Sequence, residues 1–433
     1  MRCIATIKTF ITHYNLYNLL QPLQLTTTSP QPLHNPSTTY YNIYNLLQQN
    51  FNKFAHYLNQ VLETYIHEAL FILFQVCFII QLYFLVNNQS SLKGYDQLEE
   101  LPAASVPISV IISARNEAKN LTENLPAILA QNYPDFEVVV VNDCSFDSSD
   151  DILKEFKETY PQLKIVTITE HDRFKTGKKF ALTLGIKAAK NEHLLFTDAD
   201  CVPASENWIT RMAANFTGQA QIVLGYSPYK KTGNFLNPFI RFETIKTAIN
   251  YLSAAINGDA YMGIGRNLAY TKTLFFSAKG FAAHMHVLSG DDDLFVNQNA
   301  TAANTVIEIH PETFTYTDAK TSLTAWFRQK KRHMGVGKLY KSRHKQMLSL
   351  DALSGFLFYI LLTLCLVFNF EPLLALGLFM FRLIFQLIIY SKLFKRLNGK
   401  SLVWYLPIFD MIYYIYLNTF GLIGTFIKTT QWK

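Results

Sequence analysis

The chain has 433 residues, enough for a catalytic domain with further elements, and is 49% hydrophobic, 14% aromatic and only 16% charged. That charge fraction argues against a wholly soluble protein and for membrane segments. The net charge of +7 gathers between Arg328 and Lys345 and between Lys392 and Lys400, beside apolar runs, so a membrane face and anionic ligands are expected and no nucleic-acid partner is.

Residues 1–66 are rich in Asn, Gln, Thr and Tyr, and "YNLYNLLQPLQL" and "YNIYNLLQQNF" repeat one pattern weakly. Nothing there resembles a signal peptide with a cleavage site. The stretch reads as a poorly ordered tail, or as translation from too early a start, and carries no assigned function. Residues 67–87 hold "ALFILFQVCFIIQLYFLV" (69–86), long enough to cross a hydrocarbon core of about 30 Å.

Strand and helix then alternate. "VPISVIISA" (106–114), "FEVVVVND" (136–143), "LKIVTIT" (163–169) and "EHLLFTDAD" (192–200) read as buried strands. "NEAKNLTENLPAILAQ", "SSDDILKEFKETY" and "GKKFALTLGIKAAK" read as the helices between them, the second capped by Ser148 or Ser149. Such alternation predicts a doubly wound α/β sheet, whose ligands bind at the carboxyl ends of the strands. Asp143, Asp198 and Asp200 fall at such ends. Two carboxylates one residue apart repel unless donors or a cation compensate, and Mg²⁺ or Mn²⁺ carrying a diphosphate would compensate both. A turn or helix cap built on the Asp side chains is the alternative.

Three more apolar runs follow, at 352–370, 373–391 and 402–427, the last interrupted by Pro407 and Asp410. "SKLFKRLNGK" after the second of these is basic and "NFEP" before it is not, so the basic loop is expected on the cytoplasmic side of an inner membrane, with the block 95–345 beside it. Trp404 and Trp432 suit interfaces. Arg382 and Asp410, at about 14 and 12 Å depth by 1.5 Å per residue, are expected to pair. Cys3, Cys77, Cys144, Cys201 and Cys365 form no CxxC or disulfide framework, which points to a reducing compartment.

Over about 105–345 the chain resembles the family-2 glycosyltransferases of GT-A fold, which include cellulose, chitin and hyaluronan synthases. The resemblance rests on "SARNEA" (113–118), "NDCSFD" (142–147), "GKKFAL" (177–182), "TDAD" (197–200), "GIGRNLAY" (263–270), "SGDDDLF" (289–295) and "QKKRH" (329–333), in family order. It implies a GT-A doubly wound mixed sheet with one N-terminal membrane helix and a three-helix region at 350–428. It also implies a nucleotide-diphospho-sugar donor, held by Ala114, Arg115, Glu117, Asp143, Lys178, Asp198 and Gln329. Asp143 would accept from uracil N3, and Asn142 stands where the family has Asp. Asp200, with Asp198, would hold the metal. Aligning "SGDDDLF" on its final Asp-Leu puts Gly290 at the family's Glu and Asp291 at the base, and a shift of one residue would choose Asp292. Arg332 would offset the charge of the leaving diphosphate. His333 replaces the family's acceptor-stacking Trp, which counts against long-chain processivity. The expected function is inverting sugar transfer to a lipid-linked or polysaccharide acceptor at the membrane. A processive polysaccharide synthase and a non-catalytic sugar-nucleotide-binding subunit are the alternatives.

Overall fold

The computed structural model describes residues 36–96, 100, 103, 106–169, 177–287 and 289–426. The described residues fall into two compact units that divide between Glu68 and Ala69. The first is helical, the amino-terminal part of helix α1 (Pro36–Tyr83). Residues 36–66 are helical where a poorly ordered tail is expected: past Pro36 they lack Gly and Pro, so nothing in them breaks a helix. The reading of residues 1–35, like the interfacial role of Trp432, lies outside the described residues.

The second unit is built on a seven-stranded sheet of order β3-β2-β1-β4-β7-β6-β8. Its strands are β1 (Ile108–Ala114), β2 (Phe136–Asp143), β3 (Leu163–Ile168), β4 (His193–Phe196), β6 (Ile222–Leu224), β7 (Leu268–Thr271) and β8 (Thr305–Ile307), while β5 (Val202–Pro203) pairs with β9 (Thr315–Tyr316) apart from it. The first four strands are parallel, with Ile111 level with Val139 and Phe196, and β7 runs antiparallel between β4 and β6. Mixed α/β of this order is the expected class. The β-branched runs of β1 and β2 are buried on both faces, as a covered parallel sheet requires.

Helices α2 (Ala118–Leu129), α3 (Ser149–Thr159) and α5 (Trp208–Ala213) cover one face. Helices α4 (Lys178–Ala188) and α6 (Asn237–Ile256) cover the other. At Gly185 a Cβ would lie 2.9 Å from the side chains of Ile111 and Val141, so α4 approaches the sheet as closely as only glycine permits. Short helices α7 (Lys272–Ser277) and α8 (Asp293–Asn299) follow, then α9 (Leu323–Met334). Strand β4 stops four residues before Asp200, shorter than the run 192–200. The backbone turns there, with Cys201 N–H donating to the Asp198 carbonyl at 3.1 Å, and this turn lifts both carboxylates off the sheet edge.

Among the described residues three helices are long and apolar enough to cross a membrane: Tyr44–Gly94, α10 (Ser342–Val367) and α11 (Pro372–Arg396). The fourth expected span is helix α12 (Leu406–Phe426), which is not among them and carries Asp410 and three tyrosines. Arg382 and Asp410 meet at 2.9 Å, both buried, as expected from depth. The matching of depths itself differs, since α11 runs on to Arg396 and α12 starts only at Leu406. The intervening turn Lys400–Tyr405 packs back along α11 with Leu402 and Val403 buried, which absorbs the difference. Asp410 also accepts from Lys246 of α6 and from Tyr359 at 2.7 Å, and Arg382 donates to Gln81 at 2.8 Å.

Candidate active site

The site forms where β1, β2 and β4 end. After Ala114 the chain turns through Asn116, whose φ of 55° is left-handed, and locks onto the loop after β2. Asn116 N–H donates to Ser145 Oγ at 3.0 Å, Glu117 N–H to Ser149 Oγ at 3.1 Å and Ala118 N–H to Asp147 Oδ2 at 3.0 Å. Burial pushes the Asp147 carboxyl up, but bonds from Ser149 and the Ala118 N–H bring it below the ordinary range, so it works as a clip between loops. Asn142 likewise turns inward, donating to Asp150 at 3.2 Å.

Asp143 differs from both. It is fully buried, and neither carboxylate oxygen receives an N–H or O–H bond among the described residues. Burial raises its pKa, opposed by the charge of Arg115 and the thiol of Cys144. A buried acceptor left without a donor is costly unless a ligand supplies one.

The carboxylate cluster lies beside it. Lys178, at the first turn of α4, places Nζ 2.9 Å from Asp198 and 3.3 Å from Asp291. Burial opposes the charge on Lys178, but Asp198, Asp291 and Asp292 outweigh it and raise its pKa well above the ordinary value. Burial also pushes Asp198 up, yet Lys178 first and then Arg266 and Arg332 hold it below the usual carboxylate range. Asp200 is raised, first by desolvation and then by Asp198. Lys178, Thr197, Asp198, Gly265, Asp291 and Asp292 line a narrow cleft.

Hydrogen bonding differs between Asp291 and Asp292. Asp292 caps α8, accepting from Asp293 N–H at 2.8 Å, and its other oxygen accepts from Gly265 N–H at 2.7 Å. Both of its oxygens are occupied by backbone, whereas Asp291 faces Lys178 across the cavity. Gly290, at the family's Glu position, has φ 88°, and a Cβ there would lie 2.8 Å from Val336 and 2.9 Å from Leu294. No side chain fits at that position.

Gln329 and Arg332 both ride on α9. Gln329 Nε2 reaches Tyr229 Oη at 3.5 Å, and Arg332 is near enough to Asp198 to lower its pKa. The side chain of His333 lies outside the described residues. Sequence reasoning did not single out three residues here. Arg266, within "GIGRNLAY", stacks 4.7 Å over Tyr229 and its charge reaches Asp198 and Asp200. Lys179 is buried and donates to the carbonyls of His284 at 2.7 Å and Val287 at 3.0 Å, and His284 Nε2 lies 3.1 Å from the Gly290 carbonyl. Together they hold the loop that leads to Asp291. The doubled lysine of "GKK" is the one signal for this, because successive residues of a helix point in different directions.

No cluster of three or more His, Cys, Asp or Glu arranged for a metal occurs among the described residues. Asp198 and Asp200 alone would have to serve. Among the described residues Asp200 accepts only from the Cys201 thiol, at 3.5 Å, which leaves most of its lone pairs open. Burial, then Asp200, pushes that thiol far up, which keeps it protonated and donating to Asp200. Mg²⁺ and Mn²⁺ sites that share substrate phosphates use one or two carboxylates plus water, so this pair fits such an ion.

Residues 109–286 match the family model for glycosyl transferase family 2. A probable glycosyltransferase, YdaM, of Bacillus subtilis is 28% identical over 255 residues, covering 55% of this chain and 56% of that one. A poly-beta-1,6-N-acetyl-D-glucosamine synthase of Staphylococcus epidermidis is 36% identical over 95 residues, 22% of each chain. The chain thus spans about half, or less, of the length of these curated relatives. The mannosyltransferase PcManGT of Pyrobaculum calidifontis, solved with GDP-Man and Mn²⁺, superposes with a TM-score of 0.53 at 17% identity over 82% of this chain and 98% of that one. That likeness shows a shared fold.

Proposed function

The chain is a member of the family-2 glycosyltransferases through residues 109–286, and from that premise we propose a membrane-anchored, inverting enzyme. It moves a sugar from a nucleotide-diphospho-sugar, UDP-linked, to a membrane-associated glycan or lipid. What chiefly supports this reading is the meeting of Lys178, Asp198 and Asp291 within 3.3 Å at the carboxyl ends of the strands. Asp143, with its unmet acceptors, binds the base through N3–H, and Ala114, Arg115 and Glu117 form the loop around the nucleotide. Asp200 and Asp198 would hold Mg²⁺ or Mn²⁺, which would supply positive charge to the diphosphate. Arg332 and Arg266 add positive charge where the leaving diphosphate gathers negative charge, and Gln329 orients Tyr229 beside them. Asp291 takes the acceptor hydroxyl proton as that oxygen attacks the anomeric carbon from the face opposite the diphosphate. Asp292 holds the loop through its two backbone bonds. The apolar helices anchor the domain on the cytoplasmic face of an inner membrane, by the basic loop 392–400, and this raises the acceptor's effective concentration.

A processive synthase is the second reading, favoured by the stretch shared with the Staphylococcus epidermidis synthase. His333 in place of Trp weighs against it, and the paired site residues weigh against a non-catalytic subunit. The test is nucleotide release by purified protein with UDP- and GDP-sugars, an acceptor membrane extract and Mg²⁺ or Mn²⁺. Release with one donor, lost in Asp291→Asn and in Asp200→Asn, is expected, and product length on a gel separates single addition from polymerisation. Absence of release with every donor and both metals would overturn the reading.

A further inference from the structure

A second cavity, of about 270 Å³, is lined by Tyr226, Tyr229, Lys231, Arg241, Tyr316 and Asn398, among others. Tyr229 belongs to both sites, since Arg266 stacks on its ring and Gln329 reaches its hydroxyl. No carboxylate lines this cavity. Arg241 spends one N–H on the Asn398 carbonyl at 3.3 Å, and Asn398 itself donates to Tyr316 Oη at 2.7 Å. Lys231 is exposed and brings its charge to the rim of the cavity, with no hydrogen-bond partner among the described residues. Neither has the hydroxyl of Tyr226, a residue only 1% exposed. An ammonium, most of a guanidinium and a buried hydroxyl thus line one cavity as donors, with no carboxylate among its lining residues. That set calls for an oxygen-rich anion. The cavity is closed at one side by Leu397 and Asn398, directly after the basic last turn of α11 with Lys395 and Arg396. An anion there sits at the end of an apolar helix, where lipid phosphates sit.

We propose that this cavity binds the phosphate ester of a lipid, either the lipid-borne acceptor or a membrane phospholipid, and presents it across Tyr229 to the transfer site. The acceptor role rests on the reading of the site as a glycosyltransferase, and phosphate binding does not. Arg241 and Lys231 grip the phosphate oxygens as charged donors, and Tyr226 donates its O–H to a third position.

The test uses the full chain in phosphatidylcholine nanodiscs doped with phosphatidylglycerol or with a long-chain isoprenyl phosphate, retained lipids being counted by native mass spectrometry. Wild type is expected to retain one of the two, and Lys231→Gln/Arg241→Gln to lose it at least tenfold. Tyr226→Phe, which keeps the charges, should weaken retention by a smaller factor. Retained phosphatidylglycerol identifies the phospholipid head group, and retained isoprenyl phosphate the acceptor. Equal retention by wild type and both variants would overturn the proposal, and so would competition by inorganic phosphate with neither lipid retained. Should the double variant fail to fold, Tyr226→Phe alone decides. Nucleotide release by wild type, measured in the same preparation, keeps a failure here separate from a failure of the glycosyltransferase reading.

Discussion

Asp143→Asn is expected to stabilise the free protein and weaken its hold on the nucleotide at the same time. The carboxyl is fully buried, and among the described residues neither oxygen has an N–H or O–H donor. Such a group costs about 1–3 kcal/mol, and the charge of Arg115 and the Cys144 thiol offset part of it. A net gain of about 1–2 kcal/mol in the variant corresponds to a midpoint rise of roughly 2–8 °C for a domain of this size. The nucleotide arm has the opposite sign. A bond from N3–H to a carboxylate is worth about 1.5–3 kcal/mol and to a neutral amide about 0.5–1.5, so UDP should bind roughly 5–10-fold more weakly. The pH dependence fixes the cause. Burial raises the folded pKa of Asp143 above its unfolded value, so the folded state binds the proton more tightly and the penalty grows as pH rises through that window. The gap between variant and wild type should be full at neutral pH and close as pH falls toward about 4. Thermal unfolding in detergent across pH, with UDP titration calorimetry, measures both arms. A variant that is less stable and binds UDP normally would refute the reasoning, because it would make Asp143 a structural acceptor.

The other expectations concern the base, the loop behind it and the buried network. Asp291→Asn should lower turnover by about 10²–10⁴ with UDP binding intact, whereas Asp292→Ala should chiefly cost about 1 kcal/mol through its lost helix cap, and the reverse pattern in initial-rate and unfolding measurements would move the base by one residue. Burial lowers Lys179 to about 8. The unfolded chain therefore binds more protons between about pH 8 and 10.5, so wild-type stability should rise there relative to Lys179→Met, and equal slopes in denaturation series would remove Lys179 as a desolvated charge. Asp410→Asn leaves Lys246 and Arg382 as buried cations and should cost about 3–5 kcal/mol, whereas Arg382→Gln leaves Asp410 with Lys246 and should cost less. Adding Lys246→Met to Asp410→Asn should recover part of the loss, and thermal midpoints in detergent that rank otherwise would dissolve the network.

The half of the sheet that carries the nucleotide loops was readable because β1 and β2 are unbroken β-branched runs flanked by amphipathic helices. Strands β6, β7 and β8 were not, since three or four residues leave no period to detect. Helix α6 escaped for another reason. It is buried nearly all round, so its sequence has no polar face. The carboxylates at the strand ends were legible from topology alone, yet three adjacent acids at 291–293 look alike in one dimension. The N–H of Gly265 and the ammonium of Lys178, both distant in sequence, help distinguish Asp292 from Asp291. The Arg382–Asp410 pair followed from depth, but the second cation, Lys246, comes from outside the apolar runs. Its presence makes a simple charge swap an unfair test, because Arg at 410 would face Lys246.

Helix α6 explains how the two halves of the site stay in register. Tyr251 donates to the Gly225 carbonyl at the end of β6, at 2.6 Å, which ties α6 to the sheet that carries Asp198 and Asp200. Five residues earlier Lys246 meets Asp410 of α12. Helix α12 in turn holds α9, through Trp326 on Tyr416 and Phe327 on Phe420, and Lys330 of α9 returns to Glu243 of α6 at 2.5 Å. Gln329 and Arg332 are therefore set by a closed circuit of α6, α12 and α9, while the carboxylates are set by the sheet. A truncation ending at 345 would keep the sheet and its carboxylates, expose the apolar face of α9 and strand Lys246 without its partner. Such a fragment should bind nucleotide through the β1 and β2 loops and turn over poorly. Restoring α12 alone would not suffice, because Arg382 of α11 shares the charge of Asp410.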